Sequence, residues 1–251
     1  MRLKLISCEA LCREMNAAAA RSPHAVEIEF LPKSLHSLGA AAMQARLQEA
    51  VDNAGVAPYD AILFGYGLCG NGTAGLTSRT IPLIIPRAHD CIALLMGGRE
   101  RYRAYCAEHP GVYYRSTGWL EHGQELEPAT LERVRERTGS GFSAEELVRR
   151  YGCDNGRYLY ETLHEYERNY RQLTYIATGL EPDGSFEARA RREAAGHGWQ
   201  FESVRGNLGL FTRLVLGNWD EEEVLIVPPG WRVKASYNGG ILEKEKIPIT
   251  T

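Results

Sequence analysis

The hydrophobic positions of the first 120 residues change period several times, and these changes predict alternating strands and helices. LKLIS, DAILFGYG and IPLIIP are short apolar runs typical of buried strands, and AVEIEFL alternates like a strand with one wet face. Between them, Met43, Leu47 and Val51 are spaced four residues apart, which indicates a helix ending near Gly55. Repeated strand–helix–strand units predict a parallel sheet with helices on both faces.

The rest of the chain divides into a charged helical stretch and a second alternating stretch. Residues 125–172 show no strand pattern and contain a capping-box sequence, Ser143 with Glu146. LTYIATG, WQFESV and EEVLIVPPG are strand-like, with helical segments between them. We therefore predict an α/β protein of two Rossmann-like parallel-sheet units. The larger unit covers 1–124, a helical bridge covers 125–172, and the smaller unit covers 173–251.

Composition and charge narrow the class of protein. The chain has 251 residues, is 44% hydrophobic and 24% charged, and carries a net charge of -3. These values fit a globular protein without a broad basic surface for nucleic acid. No apolar run reaches the roughly 20 residues of a membrane span, and MRLKLISCEALCREM fits a first strand better than a signal peptide. We expect a cytoplasmic protein with no nucleic-acid or membrane partner.

Three of the six cysteines follow predicted strands. Cys8 follows LKLIS, Cys69 lies in the loop after AILFGYG, and Cys91 follows PLIIP. In a reducing compartment such residues are thiols, ligands or nucleophiles more often than disulfides. Because ligands of open parallel sheets bind at the carboxyl ends of the strands, the three thiols are expected to converge there. The alternative is an inert role, since buried cysteine behaves as a small hydrophobic residue.

This convergence predicts a metal site. Thiolates, with or without an imidazole, suit zinc or an iron–sulfur cluster. Cys8, Cys69 and Cys91 are the expected ligands, with His89 as a fourth ligand or as a catalytic acid or base. Asp90 is the second expected catalytic residue, since its carboxylate can orient the imidazole. Zinc is the expected metal, and a [4Fe–4S] cluster with one open iron fits the three thiolates equally well.

Substrate contacts are expected near the same edge. The glycine-rich loop GYGLCGNGTAGL allows close approach of the backbone to a ligand, so Gly70 and Asn71 are candidates. Arg87 suits a carboxylate or phosphate, and Trp119 follows the predicted strand GVYYRS. Asn207, in RGNLGLF, is a candidate for the far end of a substrate across an interdomain cleft. Capping of the following helix is the more common role for such an asparagine.

Cys8 together with the segments GYGLCGNGTAGL, PRAHDC and YYRSTGW resembles a bacterial and archaeal family catalogued only as a domain of unknown function. The likeness covers most of the first 120 residues and, more weakly, the last third. Members of that family are often encoded beside corrinoid-dependent methyltransferases. The resemblance therefore implies one-carbon chemistry, with a corrinoid protein or a methyltransferase as partner and the corrinoid held on that partner.

The sequence His89-x-Cys91 with a remote cysteine is also similar to the zinc pattern of thiol-activating methyltransferases. In those enzymes zinc binds the substrate thiol and favours its thiolate, the nucleophile that takes the methyl group. They are barrels of a different fold, and their remote cysteine follows the pair, whereas Cys8 and Cys69 precede it here.

Together these patterns predict a metal-dependent enzyme, a zinc- or iron–sulfur-dependent transferase, that acts on a small sulfur- or methyl-containing compound. Methyl transfer is the expected reaction class. One alternative is a non-enzymatic accessory protein that carries a metal or corrinoid for a methyltransferase system. Another is a two-lobed binding module with unmetallated cysteines.

Overall fold

The computed structural model describes residues 1–122, 143–164, 169–237 and 239–248, and the structural statements below concern these residues. In chain order the strands are β1 (Arg2–Cys8), β2 (Ala25–Leu31), β3 (Ala61–Gly65), β4 (Leu83–Pro86), β5 (Val112–Ser116), β6 (Gln172–Ala177), β7 (Gln200–Arg205), β8 (Val224–Val227), β9 (Trp231–Ala235) and β10 (Leu242–Lys246). The helices are α1 (Cys12–Ala19), α2 (Ala40–Ala54), α3 (Cys91–Leu95), α4 (Arg99–Glu108), α5 (Thr117–Glu121), α6 (Ala144–Tyr151), α7 (Cys153–His164), α8 (Ser185–His197) and α9 (Gly209–Leu216).

The first sheet has the strand order β2-β1-β3-β4-β8. Its first four strands are parallel, and β8 pairs with β4 in the antiparallel sense. The chain goes from β1 to a neighbour on one side and then returns to β3 on the other side. The boundary between β1 and β3 is therefore the point where the strand order reverses, and ligands bind at such points in open α/β sheets.

Helices cover both faces of this sheet, as the hydrophobic periods predict. On one face, Met43, Leu47 and Val51 of α2 pack in a buried cluster with strand residues such as Phe64. On the other face, α1, α3 and α9 pack against strand residues such as Leu63. Because strand side chains alternate between faces, consecutive residues of β3 pack into the two buried clusters on opposite sides of the sheet. The predicted α/β architecture is confirmed.

A second, parallel sheet has the order β5-β6-β7. Its buried cluster joins Leu173 and Tyr175 of β6 to Leu120 of α5 and to two small residues of α8, Ala190 and Ala194. The alanines let the α8 backbone approach the sheet closely. The strands β9 and β10 form a separate antiparallel hairpin.

Two strands do not follow the division predicted at residues 124 and 173. The strand β8 comes late in the chain but extends the first sheet, with Leu83 opposite Val227. The strand β5 precedes residue 124 but belongs to the second sheet, with Val112 opposite Gln172. Hydrophobic periodicity identifies a strand without identifying its neighbour, so the sequence grouped these strands with their neighbours in the chain.

The helical bridge is described only in part, since 123–142 and 165–168 lie outside the described residues. Its predicted capping box is present: the Ser143 hydroxyl accepts from the Glu146 backbone N–H, and the Glu146 carboxylate accepts from the Ser143 N–H. In the described ranges no helix combines the length and the apolar character needed to cross a membrane.

Candidate metal centre

Three of the predicted ligands meet at the carboxyl edge of the first sheet. Cys8 ends β1, Cys69 lies in the loop after β3, and Cys91 begins α3 just after β4. All three line one small, mostly apolar pocket. The pocket is also lined by Pro32, Lys33, Leu35, His36, Met43, Gly65, Tyr66 and Trp119. The thiols thus surround the point where the strand order reverses.

Backbone pairing between two loops places Cys69 near Cys91. The N–H of Leu68 donates to the carbonyl of Ala88, and the N–H of Cys69 donates to the carbonyl of His89, both at 2.8 Å. A Cβ on Gly67 would stand 2.4 Å from the Ala88 carbonyl oxygen, so only glycine fits there. The glycine is therefore needed for the close contact of the two cysteine-bearing loops.

The loop around Cys69 is also conformationally unusual. Cys69 has a φ of 46° and Asn71 a φ of 69°, in the left-handed region that non-glycine residues rarely adopt. The buried hydroxyl of Thr73 holds the turn by donating to the carbonyl of Gly67 at 3.0 Å. Backbone strain of this kind concentrates at functional sites, where the surrounding structure maintains it.

The walls of the pocket come from the ends of β2 and β5. The indole Nε1 of Trp119 donates to the sulfur of Cys91 at 3.2 Å. Lys33 stands over the Trp119 ring, with Nζ 4.6 Å from its centroid, and donates to the Trp119 carbonyl at 3.1 Å. Burial, and then the nearby Arg115, lowers the pKa of Lys33. The second sheet therefore contributes directly to the pocket through its first strand.

The three thiols are protonated at neutral pH in the absence of a metal. Burial raises the pKa of Cys8 to about 11 and the pKa of Cys69 to about 12. Burial also raises the pKa of Cys91 well above its ordinary value, and the neighbouring Cys69 adds to the effect. A metal would displace these protons on binding, because thiolates rather than thiols are ligands.

Tyr66 supplies an unpaired polar group in the same pocket. Its hydroxyl is buried and has no hydrogen-bond partner within the described ranges. Burial, followed by the nearby thiols, raises its pKa. Buried polar groups usually have a hydrogen-bond partner, either a protein group or an ordered water. The Tyr66 hydroxyl is therefore positioned to donate to a molecule bound beside the thiols.

The remaining predicted catalytic residues lie outside this pocket. The side chain of His89 is exposed, and its carbonyl accepts from Cys69. The Asp90 carboxylate caps α3 by accepting from the Ala93 N–H at 2.9 Å. Both residues follow β4 directly, but the side chain of neither one lines the thiol pocket.

The predicted substrate contacts other than Trp119 are also placed elsewhere. The Arg87 guanidinium donates to backbone carbonyls in the last part of the chain, including that of Glu221 at 2.7 Å. Gly70 and Asn71 are exposed on the outside of their loop. The Asn207 side chain accepts from the Gly209 N–H at 2.8 Å, a local contact at the start of α9.

Sequence reasoning did not identify Lys33 and Tyr66, although a usable signal was present. Tyr66 follows β3 and Lys33 comes two residues after β2, so both stand at strand ends on the edge that carries the cysteines. The rule that located the thiols applies equally to them. Tyr66 belongs to the glycine-rich loop GYGLCGNGTAGL, but a tyrosine is not a typical metal ligand, and Lys33 lies in no recognisable motif.

The fold and pocket define the class: an α/β protein with helices on both faces of its first sheet and a thiol-lined pocket where the strand order reverses. A family model described as "Protein of unknown function (DUF1638)" matches residues 30–215, and the chain belongs to this family. The matched range includes Cys69, Cys91 and Trp119 and begins after Cys8. No curated protein matches the chain.

Proposed function

We propose that the chain is a metal-dependent enzyme whose centre is bound by Cys8, Cys69 and Cys91. The observation that carries this proposal is that three thiols from three strand ends line one pocket. Zinc and iron–sulfur clusters are the centres that thiolates bind most readily in proteins. Three protein ligands leave one metal position for a substrate, as in catalytic sites, whereas structural zinc sites use four protein ligands.

The kind of centre depends on how far apart the three sulfurs stand. Sulfurs around one tetrahedral zinc stand roughly 4 Å apart, given Zn–S bonds of about 2.3 Å. Thiolates on a cluster bind different iron atoms and are spread more widely. In the described ranges, the sulfurs of Cys8, Cys69 and Cys91 do not all lie within 4.8 Å of one another, so a single zinc ion would require them to move closer.

The other side chains of the pocket favour a small anionic sulfur compound as substrate. When bound, the centre supplies a Lewis acid that lowers the pKa of a substrate thiol. The Tyr66 hydroxyl donates a hydrogen bond to the substrate, and the Lys33 ammonium attracts its anionic end. Leu35, Met43 and Trp119 give the pocket apolar walls that limit access of water. Methyl transfer to the bound sulfur is the reaction class that we propose.

A role in catalysis accounts for more of the side chains that line the pocket than a role in metal or corrinoid delivery does. A delivery or storage site needs only ligands, and its coordination is normally filled by the protein. Here Tyr66 and Lys33 extend the polar chemistry of the pocket beyond the three thiols. These two side chains support an enzyme over an accessory protein.

Metal analysis of cysteine variants purified without oxygen tests the proposal. We expect the wild type and Cys153→Ser to contain the metal and Cys91→Ser to lose it. Cys153 is the matched control because it is exposed and does not line the pocket. Iron with an equal amount of sulfide and broad visible absorbance identifies a cluster, whereas zinc that is lost in Cys91→Ser and kept in Cys153→Ser identifies the zinc form.

Two results would contradict the proposal. A metal-free wild type excludes the metal centre, and full metal content in Cys91→Ser excludes this ligand set. The metal can also be present while a series of small anionic thiols leaves its X-ray absorption spectrum unchanged. In that case the role of an accessory protein replaces that of an enzyme.

A further inference from the structure

A second group of metal-binding side chains lies between α1 and α5. One ligand atom each from Cys12, Glu121 and His122 lies within 4.8 Å of the other two. The sulfur of Cys12 is 3.1 Å from Nε2 of His122. None of these three residues lines the thiol pocket. These three side chains therefore form a separate group, although both the group and the thiol pocket lie near the ends of β1 and β5.

A close backbone contact brings the two halves of this group together. Cys12 begins α1, while Glu121 ends α5 and His122 follows it. A Cβ on Gly118 would stand 1.9 Å from the carbonyl oxygen of Ala10, so only glycine allows α5 to pack against the turn before α1. The contact joins an element of the first sheet to an element of the second.

The carboxylate of Glu9 stands behind His122. Its Oε2 is 3.9 Å from Nδ1 of His122, and its Oε1 is fixed by the backbone N–H of Lys33 at 2.8 Å. Metal-binding histidines usually present their second ring nitrogen to a carboxylate, which sets the tautomer and the ring orientation. This placement leaves Nε2 of His122 facing the sulfur of Cys12.

Arg13 orients the carboxylate of Glu121 and leaves it able to bind a cation. The guanidinium donates to both carboxylate oxygens of Glu121 at 2.7 Å. Each carboxylate oxygen has two lone pairs, so a lone pair on each remains for a cation. The carboxylate of Glu9 adds a second negative group beside His122, which favours a bound cation.

We propose that Cys12, Glu121 and His122 bind a divalent cation of the zinc class, at a site separate from the thiol pocket. One sulfur, one imidazole nitrogen and one carboxylate oxygen form a borderline-soft ligand set that suits zinc. The side chains of Glu121 and His122 are about one-third exposed, so a water can take the fourth position. The cation ties α1 of the first sheet to α5 of the second, and Glu9 is its positioning residue.

Alkylation of Cys12 in the full-length protein tests this site directly. Chelator-treated protein is exposed to iodoacetamide with and without zinc chloride, and fragment mass spectrometry distinguishes Cys12 from Cys8. We expect zinc to protect Cys12 in the wild type and not in His122→Gln. In Glu9→Gln the zinc concentration needed for protection is expected to rise about tenfold or more. Cys153, which is exposed, is the internal control whose alkylation zinc leaves unchanged.

The variant Cys91→Ser separates the two sites, because it removes a ligand of the thiol pocket alone. Protection of Cys12 is expected to persist in it. Equal alkylation of wild-type Cys12 with and without zinc would overturn the proposal. Protection that survives in His122→Gln, or that disappears in Cys91→Ser, would overturn it as well. A circular dichroism spectrum of each variant verifies that the fold is retained.

Discussion

At the scale of single residues, the buried Tyr66 hydroxyl, which has no hydrogen-bond partner among the described residues, gives a test of the pocket's chemistry. A buried polar atom without a partner costs about 1–3 kcal/mol, and its removal is neutral or stabilising. We therefore expect Tyr66→Phe to raise or maintain the free energy of unfolding of the metal-free protein. Tyr175→Phe is the matched control, because the Tyr175 hydroxyl is buried and contacts the Thr117 hydroxyl at 2.6 Å. Its loss is expected to cost about 1 kcal/mol in urea denaturation. Equal destabilisation by both variants would show that the Tyr66 hydroxyl is paired.

Glu14 is a second buried group, and the effect of its carboxyl on the free energy of unfolding depends on pH. Burial raises the pKa of its carboxyl above the ordinary value of 4.5, and one of its oxygens has no partner in the described ranges. The folded protein therefore retains this proton to higher pH than the unfolded chain does. The resulting stabilisation is complete below the unfolded pKa and is lost as the pH rises through the folded pKa.

The variant Glu14→Gln mimics the protonated carboxyl at every pH. We expect it to be more stable than the wild type at neutral pH, with a smaller difference in mildly acidic buffer. Urea denaturation at the two pH values measures this difference. A difference that is the same at both pH values would mean that the pKa of Glu14 is not raised.

The residue scale also shows where sequence reasoning succeeds. The strand-end rule brought Cys8, Cys69 and Cys91 to one pocket, because parallel strands share an edge whatever their loops do. The rule does not give the direction of a side chain on a short loop. Asp90 instead caps the helix that begins at Cys91, and the neighbouring His89 faces solvent. Proximity in sequence to Cys91 was therefore a poor guide to which side chains line the pocket.

At the scale of elements, the contact between the Cys69 loop and the loop after β4 depends on Gly67. A methyl group there meets the Ala88 carbonyl oxygen at 2.4 Å. We expect Gly67→Ala to cost about 1–3 kcal/mol of stability through overpacking and to reduce the metal content. The matched control is Gly184→Ala, which has open space around its Cβ and an ordinary φ of -80°. It is expected to stay within about 0.5 kcal/mol of the wild type. Normal metal content in Gly67→Ala would exclude this contact as a support of the site.

Helices and strands were predicted well where the periods were long and regular. The stripe of Met43, Leu47 and Val51 forms the buried face of α2, as expected. The segment after Cys91 forms two helices, α3 and α4, which are separated at Gly97 and Gly98, whose φ values of 93° and 138° are incompatible with a helix. Apolar spacing does not reveal such a break, whereas the glycine pair would have predicted it.

At the scale of the whole molecule, the two sheets share parts of the chain that lie far apart in sequence. The strand β8 returns to the first sheet, and β5 brings Trp119 from the second sheet to the thiol pocket. Which strands pair depends on long-range contacts that a single sequence does not specify. The sequence therefore predicted two parallel sheets without specifying that β8 pairs in the first sheet and β5 in the second.

Metal removal is expected to destabilise the whole molecule. A ligand that binds only the folded state adds about 2.7 kcal/mol when its free concentration is a hundred times Kd. Chelation without oxygen should therefore lower the unfolding temperature of the wild type. The fall should be smaller in Cys91→Ser, because only the Cys12 site can lose metal in that variant. Equal shifts in both proteins would place the stabilising metal outside the thiol pocket.

The most direct test of the central claim is X-ray absorption at the metal edge of protein purified without oxygen. The three-cysteine centre predicts a first shell dominated by sulfur, with metal–metal scattering for the cluster and none for zinc. The number of sulfur ligands per metal should fall in Cys91→Ser and stay unchanged in Cys153→Ser. A first shell of nitrogen and oxygen alone, or a protein that contains no metal, would contradict the account.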